Sequence, residues 1–338
     1  MVQSTREQVR KPGVHYARTN DGLELPIVDV THPAFALTVT EEDLRSRVEQ
    51  FIREPQPLAR MPAFARNALL RILLRHSMLG RGIRRAEGGY LSALTTYLTK
   101  LGPENLTPPY ASPVDLKIAA SLPAFSVRLR LQDVASLIAD SLGPQLTASA
   151  NSPVRLVNIA GGTAIDSINA LLLLRRDGLL VDRRVDIDVL DRDEEGPAFG
   201  ARAVQVLCAP GAPLHGVNVV LRHMAYDWND PSALAKALGD RGTVMVGSSE
   251  GGLFEYGSDE AIISNLQCLG ACTGKDFKMI GAVTRADEPM QRLRQMSQIA
   301  TKPRGLDAFR ALVARARWQV TRTIERPLSD HVILASMA

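Results

Sequence analysis

The sequence predicts an α/β protein with a doubly wound, mostly parallel sheet of seven strands and a helical region in front of it. From about residue 150 onward, short runs rich in Val, Ile and Leu alternate with helical stretches, which is the pattern of βαβ units. The last two predicted strands are joined by so few residues that they must form an antiparallel hairpin. The residues before 150 carry amphipathic helical spacing instead.

The N-terminal part is predicted to be a helical cap domain over residues 1–148. Thr40 is followed by acidic residues, which is typical of a capped helix N-terminus. Leucines and arginines at helical spacing predict a helix over 62–78, and similar patterns predict helices over 90–101 and 131–142.

The C-terminal part, residues 149–338, is predicted to be a second domain that contains the whole sheet. Strands are predicted over 154–159, 185–191, 217–222, 243–247 and 277–284, helices between them over 164–176, 195–208, 231–238 and 258–269, and the terminal hairpin over 318–324 and 331–335. Five alternating units followed by a hairpin predict a sheet that closes with an antiparallel strand.

Composition excludes several classes of protein. The 338 residues are 45% hydrophobic and 22% charged, which is enough apolar material for a buried core. A net charge of +4 is too small to indicate a nucleic-acid partner, and three cysteines indicate a reducing compartment rather than a disulfide scaffold. Because no signal peptide and no apolar run of ~18 residues is evident, we expect a cytoplasmic protein without a membrane partner. Since histidines and cysteines do not cluster, no metal site is predicted.

Small residues alternate in the turn after the first strand of the sheet, at positions 160, 162 and 164. Such a turn lets the backbone approach a ligand while the following helix offers free N–H groups. A dinucleotide fingerprint would need a small residue at position 165, where Ile165 stands. Because alanine disfavours a positive φ, we expect neither Ala160 nor Ala164 to adopt one.

The stretch from Val157 to Ala164 resembles motif I of the class I S-adenosylmethionine (SAM) methyltransferases, an acid followed by a hydrophobic residue and G-x-G-x-G. The five-unit sheet with its hairpin is also similar to their Rossmann-like core, and the resemblance covers about residues 150–338. It implies that SAM binds at Asn158, Ala160, Gly161, Gly162 and Ala164. Asn158 replaces the usual acid, and alanine replaces two glycines. An ordinary tight turn is the alternative.

The resemblance also implies cofactor contacts at the ends of the next two strands. Asp191 would hold the ribose of SAM, and Arg192 would lie beside the adenine. Asp227 and Trp228 match the place of the family's adenine contact, where an indole offers a stacking face. The alternatives are a solvated acidic loop at Asp191 and a helix cap near residue 229.

The loop after the fourth strand, residues 247–257, would face the transferable methyl group. Glu250, or His223 on the third strand, is a candidate general base. The remaining candidates are assigned to the cofactor (Ser248 and Ser249) and to the substrate (Glu250, Phe254 and Tyr256). A surface loop with a helix cap is the alternative for this segment.

Together these residues predict SAM-dependent methylation of an oxygen, nitrogen or carbon atom of a small organic molecule, bound between the helical cap and the carboxyl edge of the sheet. Three alternatives stay open: other SAM-fold chemistry such as aminopropyl transfer or rearrangement, an NAD(P)-dependent oxidoreductase, and a binding protein without catalysis. The apolar and arginine-rich face of the first half is a candidate homodimer contact.

Overall fold

The computed structural model describes residues 10–55, 61–62, 64–65, 68–69, 72, 74–86, 89–149, 152–180, 183–238, 244–296 and 299–337. The strands are β1 (Tyr16–Arg18), β2 (Glu24–Pro26), β3 (Val154–Ile159), β4 (Arg184–Asp191), β5 (Asn218–Ala225), β6 (Val244–Ser249), β7 (Lys278–Thr284), β8 (Trp318–Glu325) and β9 (Ser329–Ser336). The α-helices are α1 (Glu41–Arg53), α2 (Met78–Arg85), α3 (Ala93–Leu101), α4 (Pro113–Ala120), α5 (Leu122–Ala148), α6 (Ile165–Arg176), α7 (Glu195–Leu207), α8 (Ser232–Ala237), α9 (Leu253–Tyr256), α10 (Asp259–Cys272), α11 (Glu288–Met296) and α12 (Leu306–Arg315).

Seven strands form one sheet in the order β5-β4-β3-β6-β7-β9-β8. The first five run parallel, and β9 is antiparallel to both of its neighbours. The predicted fold class is therefore confirmed. The strand order reverses at β3, which lies between β4 and β6, so the ligand crevice of such a sheet is expected outside the carboxyl ends of these strands.

The predicted strands of the sheet are all present, with small differences at their ends. The largest is at β5, which ends at Ala225, three residues beyond the predicted 222. The structure adds helices α2, α4, α9, α11 and α12 and the antiparallel pair β1–β2, which the sequence pattern does not predict. Strands of three residues and a helix of four are too short to show a period. The helix predicted over 62–78 falls partly outside the described residues.

Helix α5 is 27 residues long and extends well beyond the predicted 131–142. Its apolar residues are not confined to one stripe, because it packs against α3, α6 and the sheet at once. The largest cluster of buried apolar side chains joins Tyr97 and Leu137, from the N-terminal half, to Leu156 and Ile187 in the sheet. The helices before residue 149 therefore cover the sheet directly, while the division into two domains stays a prediction.

No helix in the described ranges combines the length and the apolar character that a membrane span requires.

Candidate active site

A cavity of about 270 Å³ opens at the carboxyl edge of the sheet. Its walls come from segments far apart in the sequence: Tyr90 to Ala93, Thr96, Lys100 and Arg130 of the N-terminal half, residues 160–163 of the turn after β3, residues 190–193 at the end of β4, residues 226–228 after β5, and residues 250–252 with Tyr256 after β6. The cavity therefore lies where the sheet topology predicts a ligand crevice.

The turn after β3 is more strained than the sequence indicates. Ala160, Gly162 and Ala164 all adopt positive φ, at 55°, 53° and 51°. The expectation that neither alanine does so is therefore wrong. The left-handed conformation disfavours a Cβ by about 1–2 kcal/mol per residue, but fixed backbone bonds hold the turn, including the one from the Ala160 amide to the Leu190 carbonyl at 2.7 Å. Such strain is typical of ligand-binding turns.

Three glycines allow the walls of the cavity to approach each other closely. A Cβ on Gly252 would lie 2.4 Å from the Cβ of Ala160, so this glycine lets the loop after β6 pack against the turn. A Cβ on Gly251 would lie 2.5 Å from Nη2 of Arg130, and one on Gly162 would lie 3.0 Å from the Cβ of Ala93. At Gly251 and Gly252 the absence of a Cβ is thus required by close approach.

Asp191 is tied into the turn by both of its carboxylate oxygens. Oδ2 accepts a hydrogen bond from the Gly162 amide at 2.8 Å, and Oδ1 accepts one from the Asp193 amide at 2.9 Å. Burial raises the pKa of the Asp191 carboxyl above its ordinary value, although these two amides act in the opposite direction. Each oxygen retains a further lone pair, so a carboxylate on the cavity wall is available to hydroxyl donors.

Arg192 and Asp227 form an ion pair at the rim of the cavity. Asp227 also accepts a hydrogen bond from the Asn229 amide at 3.0 Å. This backbone bond and the nearby Arg192 charge lower the pKa of Asp227. Because both side chains are largely exposed, the pair contributes little to stability and shapes the rim instead.

A group of four buried charged side chains lies beside the cavity, and three of them, Lys100, Arg130 and Glu250, line it. Nε of Arg130 donates to Glu250 at 2.9 Å, and its Nη1 donates to Glu255 at 2.9 Å. Lys100 donates to the second oxygen of Glu250. All four side chains are at most 9% exposed, so the two positive and two negative charges neutralise one another in a nearly dry environment.

Glu250 is ionised, and each of its two carboxylate oxygens accepts a hydrogen bond from a cation of this group. Burial alone would raise the pKa of Glu250, but the charges of Lys100 and Arg130 outweigh burial and hold the pKa below its ordinary value. A carboxylate with a lowered pKa is a weak proton acceptor. The geometry therefore favours Glu250 as a charged anchor over the general base that the sequence also allows.

Asn158 lies behind the turn and is fully buried. Its Nδ2 donates to Asp166 at 2.7 Å, and Ser248 donates to the other oxygen of Asp166 at 2.8 Å. Burial and the nearby Glu250 charge raise the pKa of Asp166. A Cβ on Gly161 would lie 1.9 Å from Oδ1 of Asn158, so this side chain supports the turn from below.

The structure brings only part of the predicted site residues to the cavity. Those that line it are Ala160, Gly161, Gly162, Asp191, Arg192, Asp227, Trp228, Glu250 and Tyr256, and those that do not are Asn158, Ala164, His223, Ser248, Ser249 and Phe254.

Phe254 is fully buried and packs on Phe309, so it belongs to the core rather than to a substrate surface. Nε2 of His223 lies 2.9 Å from the Asp191 carbonyl, outside the cavity lining. Ser249 accepts from the Leu253 amide at 2.9 Å and holds α9 in place.

The sequence does not point to Lys100, Arg130 or Asp166. Lys100 and Arg130 lie on helices of the N-terminal half, in stretches without a motif, and Asp166 follows the turn without a matching family position. Ala93 is also missed, although its amide donates to Asp193 at 3.0 Å and closes α3 over the turn. Only the tertiary fold brings these residues together. Among the described residues, no three His, Cys, Asp or Glu side chains form a group that could hold a metal ion.

Comparisons with known proteins concern the fold. A possible exported protein from Bordetella parapertussis superposes with a TM-score of 0.58 at 18% identity, over 89% of this chain and 98% of that one. Magnesium protoporphyrin IX methyltransferase (ChlM) from Synechocystis PCC 6803, with bound SAH, gives a TM-score of 0.44 at 14% identity, over 65% and 89%. Mitomycin 7-O-methyltransferase MmcR gives 0.43 at 12% identity, over 82% and 74%.

No protein-family model and no curated protein matches the sequence. The strand order and the terminal antiparallel hairpin are those that the resemblance of the sequence implies.

Proposed function

We propose that this chain is a SAM-dependent methyltransferase that methylates an oxygen, nitrogen or carbon atom of a small organic molecule in the cavity. The observation that carries the proposal is Asp191, a half-buried carboxylate at the end of the second parallel strand, hydrogen-bonded to the strained turn after the first. Asp191 and the loop after β6 line the same cavity. A carboxylate in this position suits the two hydroxyls of a ribose.

The chemistry of the lining fits the parts of SAM. Asp191 would accept from the ribose hydroxyls, and Asp227 would border the adenine at the rim. In the same cavity, Glu250 suits the ammonium of the methionine moiety, and Lys100 and Arg130 suit its carboxylate. Each oxygen of Glu250 accepts one hydrogen bond from a cation and keeps a further lone pair, so an ammonium can bind there without breaking the ion-pair group.

When bound, SAM supplies a methyl group on a sulfonium, which a nucleophile attacks in line. The residues of this chain would orient the two molecules and exclude water. The bond from the Ala93 amide to Asp193 holds the start of helix α3 against the segment after β4, and both residues line the cavity. Because Glu250 is engaged by two cations and His223 lies outside the lining, we expect neither residue to act as a general base for the acceptor.

Position 165 argues against an NAD(P)-dependent oxidoreductase. Ile165 is 1% exposed and belongs to the largest apolar cluster, where a dinucleotide turn places its third small residue for close packing. A buried isoleucine therefore stands where the dinucleotide turn requires a small residue. The cytoplasmic location and the homodimer contact remain predictions.

Calorimetric titration with SAM, S-adenosylhomocysteine (SAH) and NADH tests the proposal. We expect micromolar binding of SAM and SAH and none of NADH. Incubation with SAM and a panel of phenols, amines and carboxylic acids, followed by mass spectrometry, should then give a product heavier by one methylene. Binding of NADH alone would contradict the proposal, and binding of SAM with products of another mass would favour aminopropyl transfer or rearrangement.

A further inference from the structure

Three aromatic side chains meet at the mouth of the cavity. The ring of Tyr90 lies between Trp228 and Tyr256, with centroid distances of 5.6 Å and 5.1 Å. The interplanar angles are 81° and 86°, so both contacts are edge-to-face, a favourable geometry for aromatic pairs. Trp228 and Tyr256 thus form two walls that accept a planar ring between them.

Trp228 and Tyr256 belong to the part of the chain that forms the sheet, whereas Tyr90 belongs to the N-terminal half. Trp228 follows β5, and Tyr256 ends α9 after β6, so both stand at the carboxyl edge of the sheet. The Trp228 carbonyl accepts from Asn265 of α10 at 2.7 Å, which anchors its backbone. Tyr90 precedes α3 and enters from the N-terminal half.

Tyr90 is weakly held compared with a tyrosine of the core. It is 52% exposed, and its hydroxyl makes no hydrogen bond to any described residue. Tyr97 is 1% exposed, and its hydroxyl donates to the Pro26 carbonyl at 2.7 Å and accepts from the Val28 amide at 3.0 Å. The cost of displacing a side chain rises with the apolar area that it buries. Tyr90 buries less of its side chain than Tyr97, so it can be displaced far more easily.

Tyr90 lines the cavity, so displacement of its side chain would enlarge the cavity. With Tyr90 in place the cavity measures about 270 Å³, close to the lower limit of about 300 Å³ for a pocket that holds one small molecule. A methyltransferase must hold a cofactor and an acceptor together. Removal of the Tyr90 ring from between its two walls would add room at the edge nearest the loop after β6.

We infer that Trp228 and Tyr256 form the subsite for a planar aromatic acceptor, and that Tyr90 fills this subsite until the acceptor displaces it. The inference rests on the proposed function, because it assigns the second molecule of the same site. Tyr90 is then a specificity residue: only a ring that makes better edge-to-face contacts than its own side chain can enter.

Calorimetric titration of the full chain with 2-naphthol tests the inference, with decahydro-2-naphthol as a probe of similar size without aromatic rings. Each probe is titrated into the parent, Tyr90→Ala and Tyr90→Phe, in the presence and absence of SAH. Tyr90→Ala should bind 2-naphthol about five- to tenfold more tightly than the parent, because two aromatic contacts no longer compete. Tyr90→Phe keeps the competing ring and should match the parent.

Two further variants test the walls. Trp228→Leu and Tyr256→Leu should each weaken 2-naphthol binding in the Tyr90→Ala background, and decahydro-2-naphthol should gain little from Tyr90→Ala. Equal gains for both probes, or no gain for 2-naphthol, would overturn the inference. So would a tenfold loss of SAH binding in Tyr90→Ala with no gain for 2-naphthol, since Tyr90 would then cover the cofactor. Absence of SAH binding to the parent contradicts the proposed function instead, and the naphthol comparison without SAH still decides the subsite.

Discussion

Arg130 donates from Nε to Oε1 of Glu250 at 2.9 Å, so a helix that precedes the sheet reaches the loop after its fourth parallel strand. The same guanidinium also contacts Glu255, and both carboxylates are at most 8% exposed. The floor of the cavity is thus shared between the N-terminal half and the sheet. Arg130 holds the two parts in one arrangement.

Replacement of Arg130 by methionine is expected to destabilise the protein by about 3–5 kcal/mol, because the buried carboxylates of Glu250 and Glu255 both lose a cationic partner. Denaturant unfolding followed by circular dichroism measures the change. Arg322→Met is the matched control: Arg322 pairs with Asp140 at 2.7 Å, but both side chains are about half exposed. Its loss should change the free energy of unfolding by less than about 1 kcal/mol. Equal effects of the two substitutions would refute a structural role for the buried group.

Gly252→Ala is expected to weaken SAM binding at least about tenfold, since the new Cβ meets the Cβ of Ala160 at 2.4 Å and pushes the loop from the turn. The second substitution Ala160→Gly removes the opposing methyl group and should restore part of the affinity. Gly143→Ala is the control, because its Cβ meets Leu179 at an ordinary 3.6 Å. If Ala160→Gly does not restore SAM binding to Gly252→Ala, the clash between the two Cβ atoms is not the cause of the weaker binding.

Ala160→Gly alone is expected to stabilise the protein by about 0.5–1 kcal/mol, because relief of the left-handed strain exceeds the added entropy of the unfolded chain. Ala160 has a φ of 55°, which lies in the left-handed region that disfavours a Cβ. Ala308→Gly, at an exposed position of α12, should have the opposite sign and destabilise by about 1 kcal/mol. Thermal unfolding of the three proteins gives the comparison, and destabilisation by Ala160→Gly would show that the turn is unstrained.

Asp133 is expected to make the protein acid-sensitive. It accepts from Arg326 at 2.7 Å and lies 2.9 Å from Nδ1 of the buried His331. Burial opposes ionisation, but these two partners lower the pKa of Asp133 below its ordinary value. A carboxyl with a lowered folded-state pKa stabilises the protein above the unfolded pKa of about 4, and this stability is lost as pH falls through the folded value.

Urea unfolding between pH 7 and pH 3 measures this contribution. The parent should lose more stability over this interval than Asp133→Asn, which cannot titrate. Asp307→Asn is the control, since the side chain of Asp307 is 99% exposed, and its profile should follow the parent. Parallel profiles for the parent and Asp133→Asn would contradict the role of Asp133. The nearby Ser329 completes a hydrogen-bonded series with His331 and Asp133, but all three are buried and do not line the cavity.

The sheet could be predicted from the sequence because its strands are continuous apolar runs with clear boundaries. Buried parallel strands need apolar residues on both faces, and that requirement is visible in stretches such as Val154–Ile159. The turn and Asp191 followed from their position after such strands. Helix α5 was harder to delimit, because burial on several sides removes the one-sided pattern.

The rest of the site depends on long-range packing that no local pattern records. Lys100 and Arg130 contact Glu250 across 150 and 120 residues of sequence. Phe254 and Tyr256 are two residues apart in one short helix, yet the first packs in the core and the second lines the cavity. The positive φ of Ala160 and Ala164 could not be predicted from the sequence either, because alanine rarely adopts it.

The most direct test of SAM binding at this cavity is calorimetric titration of SAM into the parent and Asp191→Ala, with Asp307→Ala as the exposed-carboxylate control. We expect micromolar binding by the parent and the control, and a loss of about ten- to a hundredfold in Asp191→Ala, because hydrogen bonds from a ribose to a charged group are removed. Binding of SAM by Asp191→Ala with the affinity of the parent, or no binding by the parent at all, would contradict SAM binding at this cavity.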